Sequence, residues 1–224
     1  MSENQKSSDA SPGNVVYIVG PRKLQNEAIA SCLERETAHK CFLLEDLKDL
    51  PQGDSQSRSP PRLVLLDCQG KDPEKILAEI RPFLKEKEFA NHAVLFNVRP
   101  DEGIEKECVL EGIEGFFYEQ DSLDMFLKGV RAVFDGELWL SRDIMTKCIR
   151  EGARREKATG TASAILTPRQ IQILALVAVG ATNDEIAERL CVSPHTVKTH
   201  LYNVFKKIKV TNRLQAALWA AKHL

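Results

Sequence analysis

Thr182-Asn183-Asp184-Glu185-Ile186-Ala187-Glu188-Arg189-Leu190-Cys191-Val192-Ser193-Pro194-His195-Thr196-Val197-Lys198-Thr199-His200 holds two helix starts and the turn between them. Thr182 offers a hydroxyl as N-cap, and Glu185, three residues on, can reach back to the capping residue's own N–H. Ser193 is a second capping hydroxyl, followed by a proline at the first helical position. The same chemistry recurs on either side. Thr167-Pro168-Arg169-Gln170 and Asn212-Arg213-Leu214-Gln215 each put a capping oxygen three residues before a glutamine. The spacing predicts four helices within Ile165 to Leu224, two of them joined by a tight turn.

The third of these helices carries the chemistry. With Pro194 to Lys209 helical, Val197, Leu201, Val204, Phe205 and Ile208 share about a third of the circumference. Thr199, Tyr202, Asn203 and Lys206 face the other way, with Lys198 and His200 on the flanks. An ordinary amphipathic surface helix has the same pattern, so charge decides between the two. Ile165 to Leu224 carries eight Lys or Arg and three Asp or Glu, whereas the rest of the chain carries 23 and 29. A net charge of −1 therefore conceals a basic end, the electrostatic footprint of phosphate binding.

Leu166 to Gln170, Gly180 to Ala187 and Val192 to His200 resemble the successive blocks of the LuxR/FixJ-type helix-turn-helix. That resemblance implies that Thr182 to Leu190 is a scaffold helix and Ser193 to Lys209 a recognition helix in the major groove of double-stranded DNA. It makes Lys198, Thr199, Tyr202 and Asn203 the candidates for base contacts, and Thr182, Asn183, Thr196 and Lys206 the candidates for phosphates. His200 reads better as a packed histidine than as a reader of bases.

Upstream, a chain of 224 residues with 43% hydrophobic content has room for a second core. Residues 1–13 are polar and read as a disordered tail without a secretory leader, and no apolar run is long enough for a membrane span. Six cysteines lack C-x-x-C spacing and read as core fillers in a reducing cytoplasm, with no metal. Val15 to Val19, Lys40 to Leu44, Leu63 to Leu66, Ala93 to Phe96 and Gly115 to Tyr118 are strand candidates alternating with helical stretches. They predict a five-stranded parallel sheet, doubly wound and receiver-like in the flavodoxin-like manner, over 14–150. Leu47 to Arg62 reads as a loop or frayed helix, and 151–164 as a linker to the all-α unit at 165–224. The sequence has no nucleophile elbow, Walker loop or paired His and carboxylate motif, so it does not read as an enzyme.

The strand order resembles bacterial receiver domains, in which Asp67, directly after the third strand, would be the phosphoacceptor. Its surroundings read against that role. Gly20-Pro21-Arg22-Lys23 stands where receivers keep Mg²⁺-binding acids, and Asn97 and Glu119 stand where they keep a hydroxyl and a lysine. A conventional response regulator phosphorylated on Asp67 stays the alternative.

Trp139-Leu140-Ser141-Arg142 lies just beyond the fifth receiver helix. As local structure, Ser141 caps an extra helix running to about Arg155, and Trp139 packs under it. The four residues also match the W-[FLM]-[TS]-R motif of VpsT/CsgD-like biofilm matrix regulators, a resemblance that implies cyclic di-GMP as regulatory ligand. Arg142 suits a purine, by stacking or by two hydrogen bonds to O6 and N7. Ser141 and the backbone N–H groups opening the helix suit phosphate oxygens, while Trp139 and Leu140 shape the site. A ligand shared between protomers implies a homodimer, with Ile144, Cys148 and Ile149 as its contacts.

Overall fold

The structure, a computed structural model, describes residues 14–51, 62–86, 91–100, 103–155 and 166–224. The polar tail 1–13 lies outside the described residues, as do 52–61, most of the expected loop. In chain order the elements are β1 (Val15–Val19), α1 (Lys23–Thr37), β2 (Lys40–Leu44), a 3₁₀ turn (Leu47–Asp49), β3 (Arg62–Asp67), α2 (Pro73–Glu86), β4 (Asn91–Val98), α3 (Glu105–Glu111), β5 (Gly115–Tyr118), α4 (Leu123–Phe134), α5 (Arg142–Arg155), α6 (Pro168–Ala178), α7 (Asn183–Leu190), α8 (Pro194–Ile208) and α9 (Arg213–His223).

The five strands form one parallel sheet in the order β2-β1-β3-β4-β5, the flavodoxin-like order of a doubly wound fold. Alternation along each strand divides the apolar side chains between two cores. Val16, Ile18, Leu63, Leu65, Val94, Phe96 and Phe117 meet α1 and α4 on one face. Tyr17, Val19, Val64, Leu66, Ala93, Leu95 and Phe116 meet α2, α3 and α5 on the other. The strands are apolar on both faces because helices cover both.

The all-α unit packs α6 against α8 and α9, and α7 against α8. Its caps follow the sequence closely. Capping boxes form at Thr167 with Gln170 and at Thr182 with Glu185, and Ser193 accepts from the N–H of Thr196. At Asn212 the expected reciprocal box does not close. Asn212 accepts from the N–H of Gln215, but Gln215 Oε1 takes the N–H of Thr211 instead, at 2.8 Å. Its amide is turned toward the receiver-like domain and donates to Leu110 O at 2.9 Å.

Helix α5 continues to Arg155, so residues 151–155 of the expected linker are helical. The rest of that linker, 156–164, lies outside the described residues. Leu214, at the start of α9, belongs to the same core as Ile144 and Cys148 of α5 and Cys108 and Val109 of α3. The two domains thus share apolar packing.

Candidate nucleic-acid interface and nucleotide pocket

Helix α8 turns its apolar stripe inward. Val197, Leu201 and Val204 are buried, with Phe205 and Ile208 packed partly against the core. Thr199, Asn203 and Lys206 are exposed, and Lys198, Tyr202 and His200 are half-buried. Lys206 Nζ donates to Tyr202 Oη at 3.2 Å and lies 5.0 Å from the ring centroid, so the pair presents one cationic, aromatic surface. Thr196 Oγ1 is 2.8 Å from Ser193 Oγ, and Thr199 Oγ1 donates to His195 O at 3.1 Å. The N-terminal half of α8 therefore presents short polar groups already held by local hydrogen bonds.

Two of the expected DNA-contact residues are engaged elsewhere. Lys198 Nζ is 2.8 Å from Asp135 Oδ1, in the loop after α4. Asn183, the first residue of α7, is only 3% exposed. Its N–H donates to Glu137 Oε1 at 3.1 Å, and its side-chain amide donates to Asp135 O. Thr182, the cap before it, stays exposed. Beneath this contact lies Arg213, whose Nη1 donates to Asn183 Oδ1 at 2.8 Å and whose Nη2 donates to Ala181 O. Its Nε is 3.7 Å from Glu137 Oε2. Burial pulls the Arg213 pKa down, and the nearby Glu137 and Glu185 carboxylates oppose that shift.

The segment after α4 extends the sheet by one bridge. Trp139 pairs parallel with Gly115: Trp139 N–H donates to Glu114 O at 2.8 Å, and Phe116 N–H donates to Trp139 O at 3.1 Å. Alternation then sends the indole to the α1–α4 face, 6.4 Å from the Phe117 ring centroid and over Gly129. Leu138 and Leu140 go to the opposite face. Trp139 therefore does not pack under α5, as the sequence suggested, because α5 lies on the other side of the sheet. Ser141 does cap α5, accepting from the N–H of Ile144 at 3.3 Å.

Arg142, first residue of α5, is exposed. Beside it a cavity of about 420 Å³ opens between α3, the end of β5 and the start of α5, with Lys106, Tyr118, Gln120, Ser141, Asp143 and Lys147 in its wall. Ile144 and Cys148, expected at a dimer contact, are instead buried between α5 and α3 at 8% and 0% exposure. The α5 stripe is apolar because it completes the receiver core. The side chain of Ile149 lies outside the described residues.

At the end of β3, Asp67 is 1% exposed. Its Oδ1 accepts from Asn97 Nδ2 at 2.9 Å and from the N–H of Gln69 at 3.0 Å. Asn97 sits at φ +55 beside a register shift in β4, and its amide is paired with that of Gln25. Gly20 closes over the carboxylate: a Cβ there would lie 2.5 Å from Asp67 Cβ. Glu119 turns outward to Arg99, 3.6 Å away. Among the described residues no group of three or more His, Cys, Asp or Glu is placed to hold a metal ion, and no helix is long and apolar enough to cross a membrane.

The profile of bacterial regulatory proteins of the luxR family matches residues 164–220. Across 212 residues the chain is 31% identical to the CsgBAC operon transcriptional regulatory protein of Escherichia coli (strain K12), covering 95% of each. The chain belongs to the LuxR family of bacterial regulatory proteins. It is also 31% identical over 160 residues to the nitrate/nitrite response regulator protein NarL of the same strain, covering 71% of this chain and 73% of that one. Among solved structures, the regulatory domain of the master biofilm regulator CsgD matches at TM-score 0.50 and 20% identity, over 61% of this chain and 98% of that chain. That match concerns the fold alone.

As a LuxR-family regulator the protein binds DNA, and α7 and α8 are its helix-turn-helix. Sequence reasoning missed Asp135, Glu137 and Arg213. Arg213 reads locally as the ordinary first residue of a helix, and its partners lie 30 and 76 residues back along the chain. Asp135-Gly136-Glu137 reads as a polar turn. The one available signal was the pair of acids flanking a glycine, placed ahead of a strongly basic domain.

Proposed function

We propose that this protein is a sequence-specific transcription regulator whose receiver-like domain is switched by cyclic di-GMP rather than by phosphate on Asp67. Double-stranded DNA is read by Lys198, Thr199, Tyr202 and Asn203, with Thr182, Asn183, Thr196 and Lys206 on its phosphates. The carrying observation is that Arg142 is exposed at the start of α5, between Ser141 and Asp143, which both line the cavity while Arg142 itself stays outside its wall. A planar cation for guanine and an open helix N-terminus for phosphodiester oxygens are the two chemistries this nucleotide needs. Trp139 and Leu140 act at one remove: the Trp139 bridge to β5 fixes where α5 begins.

The buried Asp67 supports the same reading. Its carboxylate is clamped by a neutral amide from Asn97; Gly20 and Pro21 stand in place of the acids of a phosphorylation pocket, Asn97 in place of its hydroxyl and Glu119 in place of its lysine. A dianionic phosphoryl group there would lack the charge it needs. Ligand binding links two protomers into a homodimer, one Arg142 from each, and positions two recognition helices for two half-sites. With Ile144 and Cys148 spent inside the receiver core, the nucleotide itself supplies most of that contact. Because the relative that is 31% identical over 95% of the chain regulates the csgBAC operon, and Trp139 to Arg142 matches the motif of biofilm matrix regulators, genes of the biofilm matrix are the proposed targets.

Calorimetric titration of the full chain with cyclic di-GMP, and with cyclic di-AMP as control, tests the switch. Binding that disappears in Arg142→Ala with unchanged thermal stability supports it; equal affinity in that variant overturns it. Incubation with a small-molecule phosphodonor covers the alternative. A stable mass gain of one phosphoryl group that depends on Asp67 would restore the conventional response regulator.

A further inference from the structure

The wall of the cavity beside Ser141 includes two carboxylates from different helices, and only one of them has a partner. Asp143 Oδ2 is 2.6 Å from Lys147 Nζ, one turn further along α5. Glu105, the first residue of α3, is 8% exposed, and among the described residues no hydrogen bond or ion pair reaches its carboxylate. A charge buried without a partner is costly. The positive start of α3 does not account for it, because Glu107 supplies a negative charge in the same turn while staying exposed.

We propose that Glu105 is the guanine-reading residue of this cavity: its carboxylate accepts N1–H and N2–H from one base of cyclic di-GMP and leaves the other base to Arg142. This rests on the nucleotide reading above and adds where a base enters and what selects it. Guanine offers two parallel N–H donors on that edge, the fork that a carboxylate accepts with both oxygens. Adenine has a bare ring nitrogen there, so it would set an acceptor against a buried acceptor. The cavity, about 420 Å³, falls in the size range of small-molecule sites. Tyr118 gives it an aromatic wall, and the Gln120 amide supplies a donor for O6.

The order of residues at the start of α5 divides the work. Ser141 and Asp143 line the cavity, and Arg142, between them, stays outside its wall. A nucleotide with one base at Glu105 runs its phosphodiester past Ser141 and the free N–H groups opening the helix, and its second base emerges on the Arg142 side. Asp143 adds little repulsion to that phosphate, because Lys147 holds it. Arg142 suits O6 and N7, whereas Glu105 suits N1 and N2, so the two ends read different edges of guanine.

That difference sets the test. Cyclic di-IMP keeps O6 and N7 of both bases and lacks only the 2-amino groups, so it leaves the Arg142 contacts whole and strips the Glu105 end. Calorimetric titration of the full chain should give cyclic di-IMP an affinity about tenfold below that of cyclic di-GMP, the usual cost of a buried polar group left short of a partner. Glu105→Gln keeps the volume and exchanges one acceptor for a donor. In that variant cyclic di-GMP should bind about tenfold more weakly, and its preference over cyclic di-IMP should shrink to about twofold. Without ligand the variant should melt no lower than the parent, since it sheds an unpartnered buried charge; a lower midpoint assigns the carboxylate to α3 and overturns the proposal. Equal parent affinities for the two dinucleotides overturn it as well. So does a Glu105→Gln chain that binds cyclic di-GMP as tightly as the parent while Arg142→Ala does not bind, a result that leaves the nucleotide reading standing. A parent that binds neither dinucleotide overturns both.

Discussion

Gly129 sets how Trp139 can sit. A Cβ at this position would be driven into the Phe117 ring and to 2.8 Å from Trp139 Cε2, with no flexible end to move aside. Gly129→Ala is therefore expected to cost about 1–3 kcal/mol through overpacking despite its better helix propensity, read as a lower midpoint in thermal unfolding. An unchanged or raised midpoint would mean the indole is not held there. The cysteines give a second residue-scale test. Burial pushes the Cys41 and Cys108 thiols up to about 12, leaving them neutral at ordinary pH, and Cys148 is fully buried. Cys191 is exposed at the end of α7. Alkylation followed by peptide mass mapping should label Cys191 first, with Cys108 and Cys148 labelled only on unfolding. At this scale the sequence was legible where chemistry is local, as with Ser141 and Ser193 at their caps. It misplaced Trp139 because which face a residue takes depends on a single bridge to β5, a contact with no local signature.

Helix α7 is short, at eight residues, and its start depends on the box between Thr182 and Glu185. Thr182→Ala should cost about 1 kcal/mol of helical stability, with the loss concentrated in the hydrogen-exchange protection of α7. The box also titrates. The Thr182 backbone N–H, and then its side chain, hold the Glu185 carboxyl below its ordinary value of 4.5. A depressed folded value means the contribution is present above the unfolded value and is lost as pH falls through the folded one. Amide protection in α7 should thus fall on acidification below about 4.5 in the parent; in Glu185→Gln, where a neutral amide still accepts, that pH dependence should flatten. Equal pH profiles would remove the charge from the cap's account. The elements themselves were the most legible part of the chain, since five apolar runs became five strands and four cap signals became four helices. The apolar stripe of α5 was legible too, but its partner was not. Ile144 and Cys148 looked like surface available to a second protomer, and the receiver core takes them instead. Amphipathic spacing says that a face is covered without saying by what.

At the scale of the whole molecule, the DNA-reading unit closes onto the receiver through the carbonyl end of a helix. Helix α3 ends at Glu111, and two carbonyls of its last turn accept from α9 and its cap: Val109 O from Asn212 Nδ2 at 2.9 Å, and Leu110 O from Gln215 Nε2 at 2.9 Å. The N–H of Gly112 already reaches Val109 O at 3.1 Å, so Asn212 adds a second donor there, while Gln215 serves the Leu110 carbonyl at the helix end from the other domain. Asn212 performs two tasks at once, because its Oδ1 also caps α9 by accepting from the N–H of Gln215 at 2.9 Å. Asn212→Asp separates them. An aspartate keeps the acceptor for the cap but places a carboxylate oxygen against the Val109 carbonyl, replacing a buried donation with repulsion, a loss on the order of 1–3 kcal/mol. With Leu214 buried in the receiver core, the parent is expected to unfold calorimetrically in one cooperative transition. The aspartate variant should resolve into two, and α9 should keep its helical signal until the second. A single transition in the variant, displaced downward as a whole, would mean that the apolar seam around Leu214 joins the domains and the polar clamp adds little. If the clamp is what holds them, the same variant should also bind duplex DNA more tightly than the parent, because loosening α9 from α3 frees Lys198 and the start of α7 without altering either.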